Sequence, residues 1–159
     1  MLDQFKNQTL GGSFGNPKTG TYKGQCVSYI RKYMEEVLGI PTYPAGDAKD
    51  YWNNKISTDH FDKVANPQNG DVVVYGAVAN NPYGHIGIWY NGQLLSQNYD
   101  KPLRVSIASL SMVGNRLGYL RKKGASQGGE PMVDRGALEI MWKGFLDRVP
   151  TAEEYKNCR

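Results

Sequence analysis

Apolar residues recur at helical spacing in one early stretch of the 159-residue chain. Cys26, Val27, Ile30, Tyr33, Met34, Val37 and Leu38 return every three or four positions, with Arg31, Lys32, Glu35 and Glu36 between them. The spacing predicts a helix over 25–38. Gly39 supplies a cap and Pro41 blocks continuation. Ahead of it, residues 10–24 hold five glycines and a proline and read as an irregular approach loop. Behind it, "PAGDAKDYWNNK" predicts a short helix with Asp47 near its start, and "NPQNG" at 66–70 reads as a loop.

From residue 71 the period becomes that of a strand. "DVVVYGAV" (71–78) is rich in β-branched residues, and "HIGIWY" (85–90) and "QLLSQNY" (93–99) flank Asn91-Gly92. Two residues of that type between apolar runs are a strong hairpin signal. "RVSIASL" and "LGYLRKK" predict further strands. Helix first and then a run of consecutive antiparallel strands is an α+β arrangement.

"GASQGGEP" at 124–131 predicts a flexible linker between a domain at 1–123 and an appendage at 132–159. In the appendage Leu138, Met141, Trp142, Phe145 and Leu146 mark an amphipathic helix, and "TAEE" at 151–154 has capping-box spacing. The helix it would start has barely two turns before Arg159. The chain therefore reads as a fragment whose parent continues.

Composition narrows the classes. At 40% hydrophobic and 21% charged residues, the chain has the make-up of a globular protein. The net charge of +4 suits an anionic partner, but the basic residues are scattered apart from Arg121-Lys122-Lys123, and no nucleic-acid module is recognisable. Tyrosine, at 11 residues, outnumbers phenylalanine and tryptophan together, which suits a groove for a polar polymer and half-exposed strands equally. The first 15 residues lack the pattern of a secretory signal, and no stretch is apolar enough to span a bilayer. The protein is expected either in the cytoplasm or leaving it by a route other than its own signal.

The candidate chemistry centres on Cys26 in the first turn of its helix. Unpaired N–H groups and the positive end of the helix dipole favour a thiolate there. Gly24 lets the chain turn sharply before it. The Gln25 amide and the Cys26 backbone N–H would make a two-donor oxyanion hole. A nucleophilic cysteine needs a base. His60 lies in the polar stretch "STDHFDK" and reads as a surface residue, whereas His85 opens a strand. Register arithmetic across Asn91-Gly92 places His85 opposite Asn98, where an orienting carbonyl would be needed. Each residue has an ordinary explanation when taken alone. The cysteine fits core packing, the histidine a strand end and the asparagine a turn. Together the three fill the roles of one triad. The other cysteine, Cys158, sits beyond the glycine-rich break, so a structural disulfide is not expected, and the spacing fits no metal box.

The segments "YKGQCVSYIRKY", "GDAKDYWNN", "PQNGDVVVYG", "GHIGIW" and "SQNYD" resemble, in order and rough spacing, the CHAP family. These are cysteine- and histidine-dependent amidohydrolases and peptidases of papain-like fold from bacterial cell-wall enzymes and phage lysins. The resemblance covers about residues 10–122. It implies Cys26 as nucleophile, His85 as general base, Asn98 as orienter and Gln25 in the oxyanion hole. The family often has glutamate two residues before that asparagine; here the position is Ser96, an accessory at most. Some phage members bind calcium in an acidic loop before the cysteine, but "NPKTGTYKG" has lysines and no carboxylate, so no metal or other cofactor is expected. The implied substrate is an amide bond of peptidoglycan, within a stem peptide, at a cross-bridge or at the muramoyl–alanine link. The implied settings are the host cytoplasm with release by a holin, or the virion, with action at the cell wall. The C-terminal segment would join other phage tail or lysin modules. The alternatives are a non-catalytic wall-binding piece of a phage particle and a cysteine protease acting on proteins.

Overall fold

The computed structural model describes residues 1–110 and 115–124. The helix expected over 25–38 is α2, Cys26–Glu36, with Gln25 as its N-cap residue in extended conformation. The short helix after Pro44 is a 3-10 helix, Ala48–Trp52, closed by a capping box between Asp47 and Asp50. Two further helices were not anticipated. The first, α1 (Leu2–Thr9), buries only Phe5 and Thr9. The second, α3 (Lys55–His60), buries only Ile56 and Ser57. Each is too short for a sustained apolar period. The expected linker and helical appendage lie outside the described residues.

Six antiparallel strands form one sheet. They are β1 (Phe61–Val64), β2 (Val72–Tyr75), β3 (His85–Tyr90), β4 (Gln93–Gln97), β5 (Val105–Ser109) and β6 (Arg116–Lys122), in the order β1-β6-β2-β3-β4-β5. The strands are therefore not consecutive, as the sequence suggested, because β6 returns between β1 and β2. The four-residue β1 exposes Asp62 and Lys63, so it carries almost no alternating signal. β6 is fixed to β2 by a chelated ion pair. Arg121 donates Nε to Asp71 Oδ1 at 3.0 Å and Nη2 to Oδ2 at 2.8 Å. The β3–β4 hairpin turns on Asn91 and Gly92, both at positive φ, and Tyr90 faces Gln93 as the register arithmetic required.

Both faces of the sheet are covered. Ile86 and Ile88 share a core with Val72, Val74 and Leu95 on the face that meets α2, which contributes Val27, Ile30 and Met34. Burying such a side chain stabilises by about 1.5–3 kcal/mol. Trp89 belongs to a second cluster on the opposite face with Val73, Tyr75, Leu94 and Tyr99. Alternation along β3 assigns His85 to this second face. α2 packs against β3 and β4, so the helix that opens at Cys26 rests on the strands that carry His85 and Ser96.

Candidate active site

His85 is the first residue of β3 and is fully buried. Its Nε2 lies 3.0 Å from Ser96 Oγ. The rings of Tyr99 and Tyr75 stand 5.3 and 6.3 Å from the imidazole, centroid to centroid. The β3–β4 register runs from Tyr90–Gln93 to Ile88–Leu95, and the ring of His85 reaches Ser96 on the same face of the hairpin. Gly87 clears that path. A Cβ there would come within 2.7 Å of Ser96 Cβ. Ser96, at the position where the family often has glutamate, thus holds the imidazole.

Asn98 does something else here. It takes positive φ (67°), and its Oδ1 accepts from Leu103 N at 2.8 Å, while Nδ2 is buried without a partner. The turn it shapes brings Leu103 against Gly24. At Gly24, with φ of 88°, a Cβ would sit 2.8 Å from Leu103 Cβ. Only glycine fits there, so Asn98 acts on the loop before Cys26 through Leu103 rather than on the ring.

Gln97, which the sequence did not single out as functional, makes the stronger link. It lies on the α2 face of the sheet and is fully buried. Its Oε1 accepts from Phe14 N at 2.7 Å. Its Nε2 donates to Phe14 O at 3.0 Å and to Gln25 O at 2.7 Å. One side chain therefore ties the approach loop and the residue before Cys26 to the strand that carries Ser96. A polar residue on the inward face of an otherwise apolar strand was the signal available for it.

Gln25 keeps its carbonyl on Gln97 and its Oε1 buried without a partner. Cys26 is buried and is disulfide-bonded. That corrects the expectation of an unbridged thiol. Cys158, the other cysteine of the sequence, lies outside the described residues. His60 ends α3, which leads directly into β1 at the sheet edge three strands from β3, and it takes no part. Among the described residues no cluster of histidine, cysteine and carboxylate side chains could hold a metal ion, and no helix is long and apolar enough to cross a membrane.

Burial dominates the electrostatics. It lowers the His85 pKa from 6.5 to about 3, so the imidazole stays neutral at neutral pH.

Helices packed on one antiparallel six-stranded sheet, with a cysteine opening a helix and a buried histidine opening a strand, make this an α+β protein. The family model of the CHAP domain matches residues 16–93, and the chain carries a CHAP domain. Among solved structures it is similar to the endolysin LysIME-EF1, at 23% identity and a TM-score of 0.54, over 74% of this chain and 61% of that one. It is also similar to Ly7917, at 19% identity and a TM-score of 0.52, over 76% of this chain and 60% of that one. At these identities the likeness is one of fold. The chain spans about three fifths of the length of each. No curated protein matches it.

Two outcomes are expected. Gln97→Met, which keeps the volume and strands the buried Phe14 and Gln25 groups, should lower unfolding free energy by about 2–4 kcal/mol in urea titration. His85, neutral in the folded chain, gains a proton on unfolding below pH 6.5. Its contribution is complete above that pH and is lost as pH falls toward 3. The slope of stability against pH in this window should exceed that of His85→Asn by about 1.4 kcal/mol per unit. Equal slopes would show that the ring titrates normally.

Proposed function

We propose that this chain is a peptidoglycan hydrolase that cleaves an amide bond, as an endopeptidase or N-acetylmuramoyl-L-alanine amidase, through a Cys26 thioester. The observation that carries the reading is the His85–Ser96 pair, a neutral buried imidazole whose Nε2 meets Ser96 at the end of the sheet on which the Cys26 helix rests. The CHAP domain and the endolysin of similar fold support the substrate class.

The chemistry runs as acyl transfer to water. With Nε2 on Ser96, the imidazole works through Nδ1. It takes the Cys26 thiol proton as sulfur attacks the amide carbonyl. The first-turn N–H groups of α2 and the Gln25 amide hold the oxyanion. The imidazolium returns its proton to the leaving amine, then the neutral ring activates water against the thioester. The thiol is restored as the acid product leaves. Asn98 shapes the turn that seats the loop.

The mechanism belongs to the reduced chain. It requires the sulfur to meet the imidazole at the open end of β3, since the strand's alternation sets His85 on the face away from the α2 core. The same disulfide favours a second reading, a wall-binding piece without catalysis. Action at the cell wall after release from the host cytoplasm, or from a virion, completes the proposal, with the C-terminal segment joining further lysin or tail modules.

Mass spectrometry of muropeptides from purified sacculi separates the readings. Protein kept in reductant should release fragments that identify the bond cut. Cys26→Ala should lower release at least about a thousandfold, the scale of losing a nucleophile. Ser96→Ala should lower it about tenfold to a hundredfold by freeing the ring. Binding of sacculi with no release by the reduced wild type would establish the second reading.

A further inference from the structure

A cleft of about 280 Å³ runs beside the first turns of α2, lined in part by Val27, Arg31, Tyr51 and Asn16. Val27 and Arg31 stand one helical turn apart on the same face, and Val27 follows Cys26 directly. Arg31 is only 6% exposed. A guanidinium is never neutral in a protein, and a buried one ordinarily has a carboxylate against it. Among the described residues Arg31 has no such ion pair. Its Nε donates to Thr42 Oγ1 at 2.9 Å, and Thr42 passes the link on to Glu35 at 2.5 Å. That relay uses one edge of the guanidinium.

Two further groups in the same cleft are unsatisfied. Tyr51, fully buried, has a hydroxyl with no partner, and it lies close enough to Arg31 to feel its charge. Asn16 has a buried Oδ1 with none. Buried polar groups without a partner are uncommon in native structures and each calls for an explanation; here two of them line one cleft with a buried cation. A cation and a hydroxyl donor call for an anion that takes two hydrogen bonds, and the Asn16 carbonyl calls for an N–H. A peptide with a free carboxylate supplies both. Asp47 also lines the cleft, but its carboxylate is engaged in capping the 3-10 helix.

We propose that this cleft is a subsite for a carboxylate of the peptide substrate, gripped by the Arg31 guanidinium and the Tyr51 hydroxyl beside the bond that Cys26 attacks. The assignment rests on the hydrolase reading for the identity of the peptide. Five residues of helix separate Cys26 from Arg31, a rise of about 7.5 Å. An extended peptide advances about 3.3 Å per residue, so the carboxylate falls about two residues from the scissile bond. The subsite would select stem peptides by whether their acids are free or amidated.

The test is calorimetric titration of the full chain in reductant with two probes. One is a stem-type tetrapeptide with its carboxylates free; the other is the same peptide with each converted to the amide. The free acid should bind about tenfold or more tightly, the scale of hydrogen bonds to a charged group. Arg31→Gln should bind both alike, and Tyr51→Phe, which keeps the ring and removes only the hydroxyl, should narrow the ratio. Equal affinities in the wild type, no binding of either peptide, or a ratio that survives Arg31→Gln would overturn the subsite. If Arg31→Gln does not fold, Tyr51→Phe decides, and an unchanged ratio there overturns it. Muropeptide release with equal affinities removes the subsite and leaves the hydrolase standing. Arg31-dependent selection of the acid without release does the reverse.

Discussion

The amide of Gln97 is the constraint on which the site depends. It is fully buried, and three hydrogen bonds to the main chain of Phe14 and Gln25 satisfy most of its capacity. A loop rich in glycine has no preferred path of its own. Here it follows one because departing from it would strand both the amide and the carbonyls it serves, each at a cost of about 1–3 kcal/mol. The loop also pairs with the edge strand, where Gly11 N donates to Val105 O and Val105 N to Gly12 O. Cys26 then opens its helix at a place set by the sheet rather than by the loop.

The hairpin works from both faces. Gln97 looks toward α2 and fixes the cysteine side, while Ser96, one residue earlier, looks away and fixes the imidazole. Asn98 follows at positive φ and turns the chain so that Leu103 closes over Gly24. Three consecutive residues, Ser96, Gln97 and Asn98, thus hold the histidine, the approach loop and the turn that covers it. A slip of one residue in this register would exchange the faces and undo all three.

Much of this was legible in the chain. The period of α2, the Asn91-Gly92 turn and the strand that begins at His85 are strong local signals, and each falls where it was read. The short elements α1, α3 and β1 were not legible, because one or two buried positions make no period. The non-consecutive sheet order was hidden with β1, since the insertion of β6 needs that strand as its neighbour. At the site, register arithmetic found the Tyr90–Gln93 end of the hairpin but could not foresee that the His85 ring would lean to Ser96. That choice depends on the absence of a side chain at Gly87. The disulfide at Cys26 was equally out of reach, because nothing in the residues around Cys26 marks a bridged cysteine.

On the function proposed above, the buried neutral histidine, the cysteine at the helix start and the Arg31 guanidinium one turn beyond Val27 serve a peptide amide with an acid nearby. The centre of the proposed site is the sulfur of Cys26. Alkylation tests that most directly. The reduced chain is treated with iodoacetamide until peptide mapping shows Cys26 fully modified, and fragment release from sacculi is then measured. The account predicts that release stops in proportion to Cys26 modified. Full release from protein whose Cys26 is completely alkylated would contradict it.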